Sequence, residues 1–193
     1  MKRTLISAWQ SKKMASILFK TSLVVAALAL VVFLGLQTTE IRVDLENFID
    51  EVWPRVLEVC SEPGKLLEFH EHKMEVITDV EETVVNGHTA NKMTFLHDKT
   101  FPVIGLQRII TEMHIITTEQ EIIWNTTVNG QYLSKGRYTF LDYVKEGKRG
   151  TLVRHTFTAQ RPAFLQWYSS AVAYDAHTVL LSNMKEYIEG MKN

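Results

Sequence analysis

Cysteine is almost absent from this 193-residue chain, which contains Cys60 alone and so forms no internal disulfide. Acidic residues are absent before Glu40, where five of the 21 basic residues lie. The rest of the chain therefore has 16 basic against 22 acidic residues. Nucleic-acid binding needs a basic face for phosphate contacts, so the composition predicts no nucleic-acid partner.

Charge is also missing from residues 21–39, which include a continuous apolar run. As a helix they would span about 28 Å, close to the ~30 Å hydrocarbon core of a bilayer. Basic residues up to Lys20 precede this segment, and Glu40 and Asp44 follow it. We therefore expect a cytoplasmic basic segment (1–20), a single transmembrane helix (21–39) and a domain on the periplasmic or extracytoplasmic side (40–193). The alternatives are a cleaved signal peptide and a buried core helix.

The start of the domain has the pattern of one strand and two helices. Alternation over residues 40–44 predicts a short strand, after which Asp44 would cap a helix over residues 45–59. Pro54 lies inside that helix and is expected to kink it or delay its start. A break at residues 61–64 precedes a second short helix over residues 65–69.

Strand-like runs separated by turns follow. They cover residues 75–85, 88–97, 107–117, 121–128, 132–145 and 151–160. Two of the turns, Asn86-Gly87 and Asn129-Gly130, are strong two-residue hairpin signals, and residues 146–150 form another turn. The pattern predicts about six antiparallel strands, without internal repeats.

Residues 162–191 have the pattern of one long terminal helix. Pro162 suits its start and Gly190 its end. Its predicted apolar face consists of Phe164, Tyr168, Val172, Val179, Met184, Tyr187 and Met191. A long helix after so many strands predicts a sheet that curls around it and leaves a cavity between the two.

The order β-α-α-β6-α resembles the START-like, or SRPBCC, superfamily of polyketide cyclase-like, lipid-transport and birch-pollen-allergen-like proteins. The resemblance rests on EVW (51–53), SEPGKLLEFH (61–70), IIWNTTVNG (122–130), KGRYTF (135–140) and GTLVRHTFT (150–158). It implies an α+β helix-grip fold with an apolar cavity for a lipid, sterol, polyketide or other hydrophobic molecule. Some members catalyse cyclisation, dehydration or hydrolysis. Fold resemblance by itself does not establish function.

Strand alternation predicts which side chains face the helix. The expected cavity residues on the strands are Met93, Phe95, Met113, Ile115, Trp124, Tyr138, Phe140, Val153, His155 and Phe157. Trp167, Ala171 and Tyr174 are expected to approach from the helix. Methionine and aromatic side chains suit an adaptable apolar pocket, and they suit a filled core equally well.

Among polar residues, His155 is the strongest candidate because an inward imidazole is costly unless it is hydrogen-bonded. It would orient a ligand, act with Tyr138 as an acid or base, or simply be satisfied by Tyr138. His70-Glu71-His72 lacks further ligands and predicts a solvated helix end, not a metal site. Asn125 begins a glycosylation sequon that chance explains, and Cys60 is expected to pack in the core.

The loop Phe101, Pro102, Val103, Ile104 and Gly105 is apolar, although loops are usually polar. It is expected to be a lid over the cavity mouth or a lip that touches the membrane, or else to fold back over the core. The sequence as a whole predicts a membrane-anchored binding or transport module for a hydrophobic small molecule or lipid, without a cofactor or metal. A cyclase-, dehydratase- or hydrolase-type enzyme and a scaffold that binds no ligand remain alternatives. The sequence identifies no protein partner.

Overall fold

The computed structural model describes residues 21–27, 29–30, 33, 37–62, 64–70, 74–76, 80–85, 87–101, 105–128 and 131–191. In chain order the domain contains β1 (Thr38–Ile49), α1 (Trp53–Ser61), α2 (Lys65–Glu68), β2 (Met74–Val76), β3 (Glu81–Val85), β4 (His88–Phe101), β5 (Gly105–Thr117), β6 (Glu121–Val128), β7 (Gln131–Lys145), β8 (Lys148–Pro162), a short 3-10 helix (Ala163–Leu165) and α3 (Gln166–Gly190).

The strands form one antiparallel sheet in the order β1-β8-β7-β6-β5-β4-β2, and β3 also pairs with β4. The end of the sheet at which β1 begins is hereafter the lower end. It also contains the end of β8 and the turns of the β4–β5 and β6–β7 hairpins. The sheet and the long terminal helix match the predicted α+β helix-grip arrangement.

The first strand is longer than predicted, and the first helix begins later. β1 continues to Ile49, so residues 45–49 are extended and Asp44 caps no helix. Asp44 instead pairs with Arg42 on the exposed face. Residues 45–49 pair with residues 151–155 of β8, and this pairing holds them as a strand. Pro54 lies in the first turn of α1, where its missing amide donor is not needed, so the expected delay of the helix start is confirmed.

The strand predicted over residues 75–85 is two strands, β2 and β3, so the sheet has one more strand than the predicted order. Both pair with β4. Val76 and Glu81 are five residues apart, whereas their partners Phe95 and Lys92 are three apart, so the two pairings are not in one continuous register.

Val85 pairs with His88 and Val128 pairs with Gln131, as the two predicted Asn-Gly hairpins require, although Asn86, Asn129 and Gly130 lie outside the described residues. The turn predicted over residues 146–150 is shorter than expected. It consists of Glu146 and Gly147, both with positive φ, and residues 148–150 already belong to β8.

The terminal helix begins four residues later than predicted. Pro162 is the last residue of β8 and pairs with Thr38, and the 3-10 turn follows it. α3 then packs chiefly against β1. Its buried residues are His177, Leu180, Leu181, Met184 and Ile188.

The predicted apolar face of this helix was therefore wrong except at Met184. The members of that face with more than a third of their surface exposed are Phe164, Tyr168, Val172, Tyr187 and Met191. Apolar residues occur nearly all round α3, so its own periodicity does not decide which side is covered. The contact with β1 decides it, and two hydrogen bonds, from Asn47 Nδ2 to the carbonyl of Leu181 (3.1 Å) and from Lys185 Nζ to that of Phe48 (3.0 Å), hold this orientation.

Of the predicted membrane span, residues 21–27, 29–30 and 33 are helical, and Thr38 and Thr39 belong to β1. The large apolar side chains described there are exposed, namely Leu23, Val24, Val25, Leu30 and Phe33. Across the described ranges, no helix has both the length and the apolar character that crossing a membrane requires.

Candidate ligand site between the sheet and the terminal helix

The inner face of the sheet consists of the strand residues that alternation predicted to point inward. All of them are buried: Met93, Phe95, Met113, Ile115, Trp124, Tyr138, Phe140, Val153, His155 and Phe157. They form cross-strand rows, such as Ile115–Trp124–Gly136–Phe157, because neighbouring strands are in register. Period-two alternation identified this face correctly since each of these strands has one side covered.

The three residues expected to approach from the helix do not face the sheet. Trp167 and Tyr174 expose 75% and 53% of their surface, and Ala171 is also exposed. At 3.6 residues per turn, Tyr174, Trp167 and Ala171 are turned about 60°, 80° and 120° away from His177 around the helix axis, so they lie outside the covered stripe. In the part of α3 before His177, the residues on the same stripe as His177 are Ser170 and Ala173, and both are half-buried.

A buried pair of histidines joins the sheet to the helix. His155 Nε2 and His177 Nδ1 are 3.0 Å apart, and His155 Nδ1 lies 3.3 Å from the carbonyl oxygen of Arg137. That carbonyl can only accept, so His155 Nδ1 carries a proton and Nε2 has the lone pair. His177 Nδ1 must then donate to His155, which leaves His177 Nε2 as an unprotonated acceptor. The chain of hydrogen bonds therefore has a single direction when both rings are neutral.

Aromatic rings surround this pair. The ring of Tyr138 stacks on His155 with centroids 4.2 Å apart, because the two residues are cross-strand partners on β7 and β8. Phe157 lies 4.2 Å from His177, and the indole of Trp124 stacks over His177 at 6.5 Å. His70, which follows α2, packs edge-on against His177 at 6.0 Å. The pair is thus enclosed by apolar ring faces.

This enclosure disfavours charge on either imidazole. Desolvation lowers the pKa of His155 to about 4, although the carbonyl of Arg137 opposes the change. Desolvation, and then the neighbouring His155 and His70, lower the pKa of His177 to about 2. Burial likewise raises the pKa of the Tyr138 phenol far above its ordinary value. At neutral pH all three groups are therefore uncharged.

The prediction that His155 points inward is confirmed by its burial. Of the three roles left open for it, the structure shows a histidine with hydrogen-bond partners, namely the carbonyl of Arg137 and the ring of His177. Tyr138 contacts the His155 ring by stacking. Sequence reasoning missed His177. Its spacing of three, four, seven and eleven residues from Leu180, Leu181, Met184 and Ile188 places all five residues on one helical stripe. That stripe was the available signal.

Three buried polar atoms on the inner face make no hydrogen bond of ordinary geometry. They are Oδ1 of Asn91, Oγ1 of Thr117 and Nε1 of Trp124. Asn91 and Trp124 are only 6% and 5% exposed, and the phenol of Tyr138 is the polar group beside the Trp124 indole. Asn91 and Trp124 lie in the same row of the sheet, two strands apart, at roughly 10 Å. A buried polar atom without a partner costs about 1–3 kcal/mol. A ligand group that forms a hydrogen bond with Asn91 Oδ1 or Trp124 Nε1 would remove this cost and so gain binding free energy.

The row below the Trp124 row has little side-chain bulk on β6, β7 and β8. Thr126, Ser134 and Ala159 are buried there, and the two hydroxyls hydrogen-bond to each other at 2.7 Å. Ser170 and Ala173 are the half-buried helix residues on this side. Small side chains on both surfaces contrast with Phe140, Ile122 and Met184 in the upper part, which are fully buried.

The remaining candidates have separate outcomes. Cys60 is buried in the core as predicted, and burial raises the pKa of its thiol to about 12. Within the described ranges, no group of three or more His, Cys, Asp or Glu residues is arranged to hold a metal ion. Phe101 and Gly105 pair at the tip of the β4–β5 hairpin. The predicted lid residues Pro102, Val103 and Ile104 lie outside the described residues.

No protein-family model matches the sequence, and no curated protein is significantly similar to it. Solved structures with the same fold do exist. The protein TTHA0849 from Thermus thermophilus is 16% identical with a TM-score of 0.55, over 80% of this chain and 100% of that one.

Two further neighbours have descriptive names. The di-domain ARO/CYC StfQ from the steffimycin biosynthetic pathway is 16% identical, with a TM-score of 0.51, over 79% of this chain and 52% of that one. Truncated norcoclaurine synthase from Thalictrum flavum is 14% identical, with a TM-score of 0.50, over 79% and 96%. At these identities the likeness shows the fold, and the helix-grip prediction is confirmed.

Proposed function

We propose that the domain binds a hydrophobic small molecule or lipid between the inner face of the sheet and α3. The observation that carries the proposal is an apolar, aromatic wall on which Asn91 Oδ1 and Trp124 Nε1 are buried without partners. Apolar area supplies affinity, and a few placed polar atoms supply orientation, which is the usual composition of a small-molecule site. The facing small residues Ser170 and Ala173 are consistent with a ligand in the lower half.

The polar atoms narrow the chemistry of the ligand. Trp124 Nε1 is a donor that needs an acceptor, whereas Asn91 Oδ1 is an acceptor that needs a donor. A hydroxylated or keto-hydroxylated apolar molecule supplies both, while a simple hydrocarbon supplies neither. A carboxylate is disfavoured near Asn91 and His177 because it would place acceptor against acceptor.

We also propose that the N-terminal segment anchors the domain in a membrane, with the N-terminus cytoplasmic. The support is the uncharged stretch 21–39, which five basic and no acidic residues precede, together with the exposure of apolar side chains such as Leu23 and Phe33. Exposed apolar side chains along one helical segment need an apolar environment.

The binding proposal is tested on the full chain purified in mild detergent. The protein is denatured and extracted, and mass spectrometry identifies any co-purified apolar molecule. In parallel, a fluorescent sterol or hydroxylated polycyclic aromatic is titrated into the wild type, Trp124→Phe and the control Trp53→Phe. Loss of one hydrogen bond predicts roughly tenfold weaker binding for Trp124→Phe alone. An empty extract together with no binding of either probe would leave only a scaffold role.

Acid–base catalysis in the same place is the second candidate, favoured by the directional His155–His177 pair. His177 Nε2 could accept a substrate proton while His155 holds the ring in one tautomer. The low pKa of His177 opposes this role, since efficient general bases titrate near the working pH. Hydrolysis of an apolar aryl ester that His177→Gln abolishes, with the fold retained, would support an enzyme. Equal rates for the wild type and the variant would exclude this mechanism.

A further inference from the structure

The outer side of α3 up to Tyr174, with the 3-10 turn before it, is an exposed aromatic surface without charge. It consists of Phe164, Trp167, Tyr168, Val172 and Tyr174, hereafter the aromatic face. No charged residue occurs between Arg161 and Asp175. The face extends for about 15 Å along the helix.

The second half of the same helix is different. Lys185, Glu186 and Glu189 follow there, and Lys185 and Glu189 form an ion pair. The helix thus changes from apolar to charged along its exposed side. A surface that met only water would not need this difference, and an apolar area of this kind on a soluble domain marks an interaction site.

The aromatic face lies where the apolar N-terminal segment joins the domain. The amide of Gln37 donates to the carbonyl of Phe33 (3.3 Å), so helical bonding reaches the residue before β1. The amide of Ala163 in turn donates to the carbonyl of Gln37 (2.9 Å). The aromatic face therefore starts one residue after a direct hydrogen bond to the end of the N-terminal segment.

A second apolar feature lies at the same lower end of the sheet. The β4–β5 hairpin turns there, and β5 extends beyond the last residue of β6 by residues 105–110, about 20 Å of strand. Ile110 on this projection is 55% exposed. β4 and β1 are five strand positions apart, which is roughly 24 Å across the sheet. The lower end thus has apolar groups at both sides.

We propose that the lower end of the domain rests on the phospholipid bilayer, with the aromatic face inserted at the boundary between headgroups and acyl chains. The proposal rests on the membrane anchor proposed above, which brings the lipid to the residue next to this face. Tryptophan and tyrosine favour this boundary because each combines an apolar ring with a polar group. The anchor and the aromatic face together fix the orientation of α3, with its charged half away from the lipid.

This arrangement has a consequence for ligand exchange. The small-residue part of the wall, with Thr126, Ser134 and Ala159, lies toward the lower end of the sheet. An apolar ligand that enters from the lower end would pass from the acyl chains to the inner face without crossing water. Exposing the apolar surface of the ligand to water costs free energy, and contact between the lower end and the bilayer avoids this exposure.

The test compares two labelled positions on one helix of the full chain. Trp167→Cys and the control Glu186→Cys each receive an environment-sensitive NBD label, because Cys60 is buried and does not compete. Both proteins are reconstituted into phosphatidylcholine vesicles with or without brominated acyl chains. We expect blue-shifted emission and quenching by brominated lipid at position 167, and water-like, unquenched emission at position 186.

Every other outcome overturns the lipid contact as stated. Unquenched emission at both positions shows that the aromatic face meets water. Blue-shifted but unquenched emission at 167 shows that protein covers it, either the first 20 residues or a second copy of the chain. Equal quenching at both positions shows that the domain lies on its side. Alkaline carbonate extraction of the same vesicles tests the membrane anchor separately. If carbonate extracts the protein although position 167 is quenched, the anchor is refuted, while the contact between the aromatic face and the lipid is supported.

Discussion

His177 of α3 donates a hydrogen bond from Nδ1 to Nε2 of His155 on β8, at 3.0 Å, within the interior between helix and sheet. The other hydrogen bonds from α3 to the sheet that are described above reach β1, at the edge. The histidine pair links the helix to β8, the strand next to that edge. Because His155 Nε2 must keep its lone pair to accept this hydrogen bond, and because burial disfavours charge on both rings, the stability of the domain depends on pH.

Stability is expected to fall as the pH decreases below about 6.5. In the unfolded chain both histidines bind protons near that pH, whereas in the folded protein their pKa values are lowered to about 4 and about 2. Between about 6.5 and 4 the unfolded state thus binds more protons, and the free energy of unfolding decreases with falling pH. The expected slope is about 1.4 kcal/mol per pH unit for each histidine. Urea denaturation across this range measures it.

The variant His177→Gln isolates one member of the pair. Its amide can still donate to His155 Nε2 but does not titrate, so the slope should be about half that of the wild type. His114→Gln, on the exposed face of β5, is the matched control and should leave the slope unchanged. A wild-type slope equal to that of His177→Gln would mean that this histidine does not stay neutral in the folded state.

Gly136→Ala is expected to destabilise the domain by about 1–3 kcal/mol. A Cβ at this position would overlap the indole of its cross-strand partner Trp124, which lies flat over the glycine. Gly190→Ala is the control, since a Cβ there meets nothing and alanine favours the helix by up to about 1 kcal/mol. Thermal unfolding followed by near-UV circular dichroism distinguishes them. Equal stability of the two variants would contradict the close contact at Gly136.

Asn91→Leu is expected to raise the stability of the ligand-free protein by about 1–3 kcal/mol, because it removes a buried oxygen without a partner. The same change should weaken binding of a ligand that donates a hydrogen bond there. Asn125→Leu, on the exposed face of β6, should change stability by less than about 0.5 kcal/mol. Calorimetry of both variants, with and without the probe ligand, gives the comparison. Lower stability of Asn91→Leu would show that Oδ1 is satisfied in solution.

Cys60 is expected to resist alkylation in the folded protein. Burial raises the pKa of its thiol to about 12, so almost no reactive thiolate exists at neutral pH. Iodoacetamide should modify it only after denaturation, as mass spectrometry will report. Ser182→Cys, on the exposed side of α3, introduces a thiol that should react in the native state. Native labelling of Cys60 at a similar rate would mean that this part of the core opens readily.

Strand positions were the most predictable part of this protein. One covered face on β5 to β8 imposes alternation, so residues such as Met113, Trp124 and Phe157 were identified as inward from their spacing. The Asn86-Gly87 turn was likewise predictable, because Gly87 adopts a positive φ that favours glycine. These constraints are local, because each depends on residues that are close together in the sequence.

Residues 45–49 and α3 were less predictable, for the opposite reason. The amphipathic spacing in 45–49 is compatible with a helix, yet pairing with β8 makes this stretch a strand. On α3, Val172 is an aliphatic residue like Leu180 and Leu181, but it is exposed, and only the two leucines are buried against the sheet. Long-range contacts decide such cases, and propensity does not.

The amino-acid sequence by itself determined the order of strands and helices, the inward side of the sheet and the uncharged N-terminal stretch, because each depends on neighbouring residues. Only the tertiary structure decided that His177 meets His155, that Asn91 and Trp124 are buried without partners, and that the aromatic face lies beside Gln37. Those relationships join residues far apart in the chain, and the way α3 lies along β1 creates them.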